Sequence, residues 1–296
     1  MARSNRGKNA ELISAENLLA KNQIDLNGGN RKLSNYTFWY YTSIDTASKI
    51  LGNRNFRANN LKRMNDKAEA ERHKSVDDKV HALCFGNSDK DKIPMWYMYG
   101  GITGKGVAIG LTSSVMLKFI KSIDVIQNPS IDGNEKFLRR GKDFDIQVGH
   151  VFYADSPQRI KFRRKWYRIS KDDIGRFNKD NYFNKDYPWE YEKEFRIVIK
   201  TKKPCDQVDI FMPEDMLSKL KIKFAPEIKR DDIWEILKEY EGFRKYYESR
   251  FLYSSLNIDM ALVKRNLREM GSYLEQLKEN DIEEYVYTLK KLGIHE

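Results

Sequence analysis

Cysteine is almost missing from this 296-residue chain: Cys84 and Cys205 stand in unrelated contexts. Two such residues build neither a disulfide framework nor a paired-cysteine zinc site, and we read both as reduced thiols. Histidine is equally sparse. His73, His81, His150 and His295 are scattered, and the one close pair, His81 and Cys84, stands three apart in an expected strand that sends them to opposite faces, so a built-in zinc site is not expected. No apolar run approaches the roughly 20 residues needed to cross a bilayer. No Gly-x-Ser-x-Gly elbow is present, and the one Cys with a His close in sequence, Cys84 with His81, lies in an expected strand and not at helix spacing, so acyl transfer has no support. The basic opening, residues 1–8, leads into an amphipathic helical pattern over 9–20 and not into a continuous apolar core. No secretion signal is read from it, and the chain is expected to be cytoplasmic.

What is present is charge and aromatic surface. Lys and Arg number 54 against 43 Asp and Glu, a formal net charge of +11, while 12% of residues are aromatic and 40% hydrophobic. Enough large apolar side chains remain to close a core, which excludes wholesale disorder. The length allows one large domain, or a domain with an appendage. Residues 36–41 read as a strand, Thr42 or Ser43 as a helix cap, and Ile44, Ala47, Ile50 and Leu51 as one helix face. Further strands are expected over 80–85, 104–111 and 146–153, and helix over 231–247. From Met260 to Leu277 apolar residues recur at spacings of three and four, and residues 282–292 read as a final helix, so the tail is expected to be a helical hairpin. From Asn257 onward the charges are six basic and eight acidic, so the tail does not share the basic character. These shifts suggest an N-terminal helical extension (1–33), a central domain (34–230) and a helical appendage (231–296).

The sharpest local feature is Trp189-Glu-Tyr-Glu-Lys-Glu-Phe-Arg-Ile-Val-Ile199. As one strand it places Glu190, Glu192, Glu194, Arg196 and Val198 on one face, opposite Trp189, Tyr191, Phe195, Ile197 and Ile199. Carboxylates in line repel one another, and such pairs serve as acid, base or hydroxyl acceptor; the bland alternative is a face that is solvated or paired with Arg196 and nearby lysines. A second feature is residues 158–171, with seven basic residues, no acidic one, and Phe162, Trp166 and Tyr167 interleaved. Arg159, Lys161, Arg163, Arg164, Lys165 and Trp166 form the mix that neutralises phosphates and stacks bases. Its bland alternative is a basic amphipathic helix with its aromatics packed inside. The glycines of Gly100-Gly-Ile-Thr-Gly-Lys-Gly106 do not make a phosphate loop, because Gly106 follows Lys105 where Ser or Thr is required. A metal-dependent nuclease, with Asp145 and the Glu cluster sharing Mg²⁺, stays open, although Glu192-Lys-Glu misplaces the lysine that a common nuclease core requires.

Taken in order, Tyr40-Tyr-Thr-Ser43, Leu51 with Phe56-Arg-Ala-Asn59, Met64-Asn-Asp66 with Glu69, Leu83-Cys-Phe85, Met95-Trp96 with Tyr99, Gly106-Val-Ala-Ile-Gly110 and Trp189-Glu-Tyr-Glu-Lys-Glu-Phe-Arg196 resemble the bacterial domain-of-unknown-function family 2971. The resemblance runs from about residue 36 to 240; the family's usual Asn-Asp-Pro reads Asn65-Asp66-Lys67 here. That layout is in turn similar to ADP-ribosyltransferases. It implies an α+β fold with a split β-sheet core and helices, and NAD as substrate. Under this resemblance Glu194 holds the nicotinamide-ribose hydroxyl and stabilises positive charge on the sugar, and Glu192 orients or deprotonates the acceptor. Tyr97 or Tyr99 stacks on nicotinamide, while Tyr41, Thr42 or Ser43 holds the ribose and amide. The basic charge points to nucleic acid, RNA before DNA, as acceptor, and transferases of this kind resemble toxins and anti-phage effectors. The tail over 257–292 then suits an inhibitor, a chaperone or self-association, or else covers the core. A non-catalytic nucleic-acid-binding or sensing module is the alternative in a different class.

Overall fold

The computed structural model describes residues 10–22, 24, 36–64, 66–72, 78–87, 93–100, 106–130, 136–179, 181–226 and 228–254. It opens with a two-residue strand, β1 (Glu11–Leu12), and a short helix, α1 (Ala15–Ala20). The helix expected over 9–20 starts late because the Ser14 hydroxyl caps it, accepting the Asn17 N–H at 3.3 Å, while Glu11 and Leu12 are taken up by a sheet. Next come β2 (Thr37–Ser43) and α2 (Ile44–Asn53), with Ser43 as the cap that the sequence suggested. They are followed by β3 (Asn55–Asn60), α3 (Lys67–Arg72), β4 (Val80–Gly86), α4 (Ile93–Tyr99), β5 (Gly106–Thr112) and α5 (Ser113–Lys121). Then come β6 (Val125–Gln127), β7 (Phe137–Arg139), β8 (Phe144–His150), β9 (Phe152–Ser156), β10 (Arg159–Phe162), β11 (Lys165–Arg168) and α6 (Ile174–Asn178). The series ends with β12 (Asn184–Asp186), β13 (Glu194–Thr201), β14 (Gln207–Phe211), β15 (Lys221–Phe224), α7 (Arg230–Glu239) and α8 (Glu241–Ser254). The mixed α+β class expected from the sequence is observed.

The larger sheet forks at β4. One edge of that strand pairs along its length with β13, which pairs in turn with β8. The other edge is shared: Ala82 and His81 meet β3, and Gly86 meets Trp39 of β2. From β2 the sheet continues to β5 and β15, and from β3 to β14, β6 and β7. A second sheet has the order β1-β11-β10-β9-β12.

Alternation along β13 places it between two apolar clusters. Phe195, Ile197 and Ile199 pack into the larger core with Phe38, Phe56 and Phe119, whereas Val198 faces a smaller core with Phe152, Phe162 and Phe177. Each such large side chain withdrawn from water contributes about 1.5–3 kcal/mol. Helices α7 and α8 bury Ile236, Phe243 and Tyr246 in the larger core, and the Tyr246 hydroxyl donates to the Leu220 carbonyl at 3.0 Å. The compact unit therefore runs to Tyr247, past the boundary expected at 230, and it includes β1 and α1, expected as a separate extension. The end of α8, residues 248–254, is assigned to a second unit. The heptad-like seam at 260–277 and the helix expected at 282–292 lie outside the described residues. Among the described residues no helix is long and apolar enough to cross a membrane.

Candidate functional site

The strand expected over 189–199 begins only at Glu194. Residues Tyr187–Glu192 wind as a 3-10 helix with Pro188 in its first turn, and Lys193 turns the chain at a φ of 44°. Pro188 has no N–H to give a strand ladder and its φ is pre-set for a helical turn, so the polypeptide coils before it extends. The single line of three carboxylates is thereby broken. Glu190 pairs with Lys161 at 3.0 Å. Glu192 and Glu194, on either side of the Lys193 turn, converge on one ammonium: Lys185 Nζ lies 2.5 Å from Glu192 Oε2 and 3.2 Å from Glu194 Oε2.

Arg196, two residues along β13, completes the cluster. Its Nε donates to Glu194 Oε1 at 2.6 Å and its Nη2 to Glu194 Oε2 at 3.1 Å. The same guanidinium forms a bidentate pair with Glu69 of α3, through Nη1 and through Nη2 at 3.0 Å, and Nη1 also donates to the Tyr182 carbonyl at 2.8 Å. On the other flank the Tyr99 hydroxyl donates to Glu192 Oε1 at 2.6 Å, and Lys185 lies 4.8 Å above the Trp189 ring. The Glu194 N–H donates to the Tyr153 hydroxyl oxygen at 2.7 Å. None of Glu69, Lys185, Glu192, Glu194 and Arg196 is more than 6% exposed. Three buried carboxylates thus share two cations, so fully ionised the cluster carries one negative charge too many, and a proton on one carboxylate balances it.

The environment selects which. Burial pushes the Glu192 carboxyl up, the Glu194 charge pushes it further, and against Lys185 it settles at about 7. Burial also works on Glu194, but Arg196 and Lys185 outweigh it and hold that carboxyl well below the usual range. Burial alone would lower the Lys185 ammonium, yet Glu194 and Glu192 keep it charged. Burial and then the charge of Glu192 push the Tyr99 phenol up, so it remains a donor. Burial and then Glu194 raise the Cys84 thiol, which stays protonated. Two adjacent carboxyls with opposite tendencies are the pattern of an acid–base pair.

Of the residues expected from the sequence, Glu192, Glu194 and Tyr99 come together. Tyr41 is nearby: its ring meets Trp96 of α4 edge-on at 4.9 Å, and a side chain at Gly86 would touch both Tyr41 and the Glu192 carbonyl. Thr42 is buried in β2 opposite Val107. The Ser43 hydroxyl is occupied by the α2 cap, accepting the Thr46 N–H at 3.2 Å and donating to Thr46 Oγ1. Tyr97, on the outer side of α4, is 60% exposed. Asp145 stands opposite Lys200, six residues down the ladder from the Glu194 end, or about 20 Å at strand spacing. It cannot share an ion with the Glu cluster, which overturns that nuclease arrangement.

The basic stretch is a hairpin and not a helix. Strands β10 and β11 pair directly, with Arg163 in the turn at a φ of 54°. Arg163, Arg164 and Lys165 are exposed at its tip. Behind them Arg159 stacks on Trp166 at 4.4 Å while pairing with Asp155, and Trp166 lies 5.1 Å from Tyr187. Period-two alternation was available in Ile160, Phe162 and the buried Tyr167, but the dense charge masked it. Lys185, Tyr153 and Glu69 were not assigned roles from the sequence. Lys185 sits in a polar run without periodicity, and only the fold brings Glu69 across from α3.

No curated protein and no solved structure matches the chain. A family model described as a protein of unknown function (DUF2971) matches residues 95–197. The match is narrower than the motif order suggested, and it covers Tyr99, Tyr153, Lys185, Glu192, Glu194 and Arg196. The chain is therefore similar to that family over the segment that builds most of the buried charge cluster.

Proposed function

We propose that the chain is an ADP-ribosyltransferase that moves ADP-ribose from NAD to a nucleic acid, RNA before DNA, and acts as a toxin or anti-phage effector. The observation that carries this reading is one lysine holding two carboxylates of opposite behaviour, Glu194 a fixed anion and Glu192 titrating about neutrality. When the bond between ribose C1′ and the nicotinamide nitrogen breaks, the electron pair leaves with nicotinamide and positive charge develops on the sugar. An anion that stays ionised favours that charge. The acceptor's hydroxyl or ring nitrogen then bonds to C1′ and gives up its proton, for which a carboxyl near pH 7 is a matched base. Glu192 is the proton acceptor and Tyr99 its anchor. Glu192 is enclosed, so Tyr99 or Trp189 moves aside to admit substrate. Tyr97, exposed on α4, supplies a ring for nicotinamide, Tyr41 the nearest aromatic wall, and the Arg163–Lys165 tip with Trp166 the contact to the acceptor strand.

A second reading is favoured by the tightness of the cluster. With Glu194 5% exposed and clasped by Arg196 and Lys185, the charges serve the fold and the hairpin alone makes the protein a nucleic-acid-binding or sensing module. Incubating the protein with labelled NAD and RNA, DNA or lysate protein, while following nicotinamide release and label transfer, separates the two. Transfer to nucleic acid is expected. Release without transfer would indicate a glycohydrolase, and intact NAD with salt-sensitive RNA binding would establish the binding module.

A further inference from the structure

Directly paired residues of neighbouring strands share a face, so the small sheet carries a row across four strands. Trp166 of β11 stands opposite Lys161 of β10, Lys161 opposite Tyr153 of β9, and Tyr153 opposite Lys185 of β12. At strand spacing the row is about 14 Å long. The alternate residues Ile160, Phe162 and Tyr167 belong to the smaller core, so the row faces away from that core. Arg159 and Arg168, opposite one another two residues along, add two cations to the same face. One short segment, Tyr187–Glu192, lies on the row. Its Tyr187 ring meets Trp166 at 5.1 Å and lies 5.4 Å from the Lys161 ammonium, with which Glu190 pairs at 3.0 Å. Further on, Trp189 lies 4.8 Å from the Lys185 ammonium, and Glu192 accepts from it at 2.5 Å. The two ends of this overlay differ. Glu192 and Lys185 are buried, whereas the Lys161 and Glu190 side chains are 20% and 24% exposed, and the half-buried Tyr187 and Trp166 rings are tilted by 43°.

A ring on Trp166 and an anion on Lys161 are what a base and a phosphate of a single strand would place there. We propose that the first half of this segment, Tyr187 to Glu190, stands in for a nucleic-acid strand, and that single-stranded nucleic acid binds the Trp166–Lys161 end of the row by displacing it. The partner follows from charge. Arg163, Arg164 and Lys165 are exposed at the adjoining tip and Arg168 beside Trp166, and the carboxylate on Lys161 comes from the displaced segment itself. An ion pair open to water and one tilted ring pair each hold weakly, so a strand that brings a base and several phosphates replaces both. Asp186, held by Arg72 at 2.9 Å, and the Lys193 turn give the segment two fixed ends. Trp189 stands between Tyr187 and Glu190, so the same displacement carries its ring off Lys185 and opens the enclosure around Glu192. The inference deepens the proposed function by making acceptor binding the event that uncovers the carboxylates; it rests on that reading for its nucleic-acid partner and not for NAD.

The test is fluorescence anisotropy of short labelled single-stranded RNA, and of DNA of the same sequence, with the full chain and no NAD. Wild type is compared with Tyr187→Ala, Trp166→Ala and the double variant. Tyr187→Ala uncovers Trp166 without changing the net charge and should tighten binding about fivefold, the fold-change that one aromatic pair corresponds to. That gain should vanish without Trp166, so that Trp166→Ala and the double variant bind alike. Glu190→Gln, which frees Lys161, should tighten binding about threefold, the fold-change of one exposed ion pair. Glu214→Gln, an equal change of charge on an exposed residue paired with Arg54, should leave it unchanged. If Tyr187→Ala melts well below wild type, the comparison of Glu190→Gln with Glu214→Gln decides alone. Unchanged or weaker binding by a folded Tyr187→Ala, a gain that survives the loss of Trp166, or equal gains from Glu190→Gln and Glu214→Gln would overturn the proposal and leave the nucleic-acid reading standing. Failure of wild type and of every variant to bind either strand would remove the nucleic-acid partner, and the proposal with it.

Discussion

Arg196 has no exposed surface, and it is kept charged there because Glu194 from its own strand and Glu69 from α3 both clasp its guanidinium. Removing one partner from such a set strands the others. Arg196→Ala is expected to destabilise the fold by about 3–5 kcal/mol, read from the urea midpoint, because Glu69 and Glu194 would be buried without their cation. A variant as stable as wild type would show the cluster to be open to water. Glu192 behaves in the opposite sense. Its folded value of about 7 lies above the ordinary value of about 4.3, so the folded state binds the extra proton between these limits. That contribution is complete below the unfolded value and is lost as pH rises through 7. Wild type should therefore lose stability between about pH 5 and about pH 8, by up to roughly 3 kcal/mol, while Glu192→Gln lacks this loss. A stability gap between the two proteins that is the same at both pH values would contradict the assignment. Glu194, whose carboxyl is depressed, contributes above its unfolded value and gives that up only in more acidic solution.

At the scale of elements, two short turns decide what the site can do. The Lys193 turn rotates Glu192 back onto the lysine that already holds Glu194, and it does so at a φ of 44° that a side chain tolerates poorly. Lys193→Gly should stabilise the fold by up to about 1 kcal/mol and leave the Glu192–Lys185 pair in place; a loss of stability would mean that the Lys193 side chain has a role of its own. The Arg163 turn presents three exposed cations. Replacing Arg163, Arg164 and Lys165 by Ala should reduce the salt slope of single-strand binding by about 2, from about 0.7 per phosphate contact, without moving the melting temperature. An unchanged slope would place the nucleic acid elsewhere. The sequence made the strand–cap–helix of β2 and α2 readable because alternation, a Ser cap and a helical face agree at every position. It misled over 187–193, where alternate carboxylates imitate a strand and the single contrary signal, Pro188, sits one residue ahead of the run.

For the molecule as a whole, the site depends on contacts that cross the chain. Glu69, Tyr99, Tyr153, Lys185 and Arg196 meet because α3, α4, β9, β12 and β13 each bring one of them to the cluster, and nothing within a short window announces it. The carboxylates were legible as chemistry; their cations were not, since a lysine between Asn184 and Asp186 looks like any surface charge. The central claim is that Glu192 and Glu194 act on a dinucleotide. It is tested most directly by transfer of label from NAD to RNA by wild type and by Glu192→Gln side by side. Wild type should label the RNA, and the folded variant should do so at least about a hundredfold more slowly, the loss expected when a general base is removed. NAD left intact by wild type, or turnover by Glu192→Gln at the wild-type rate, would contradict it.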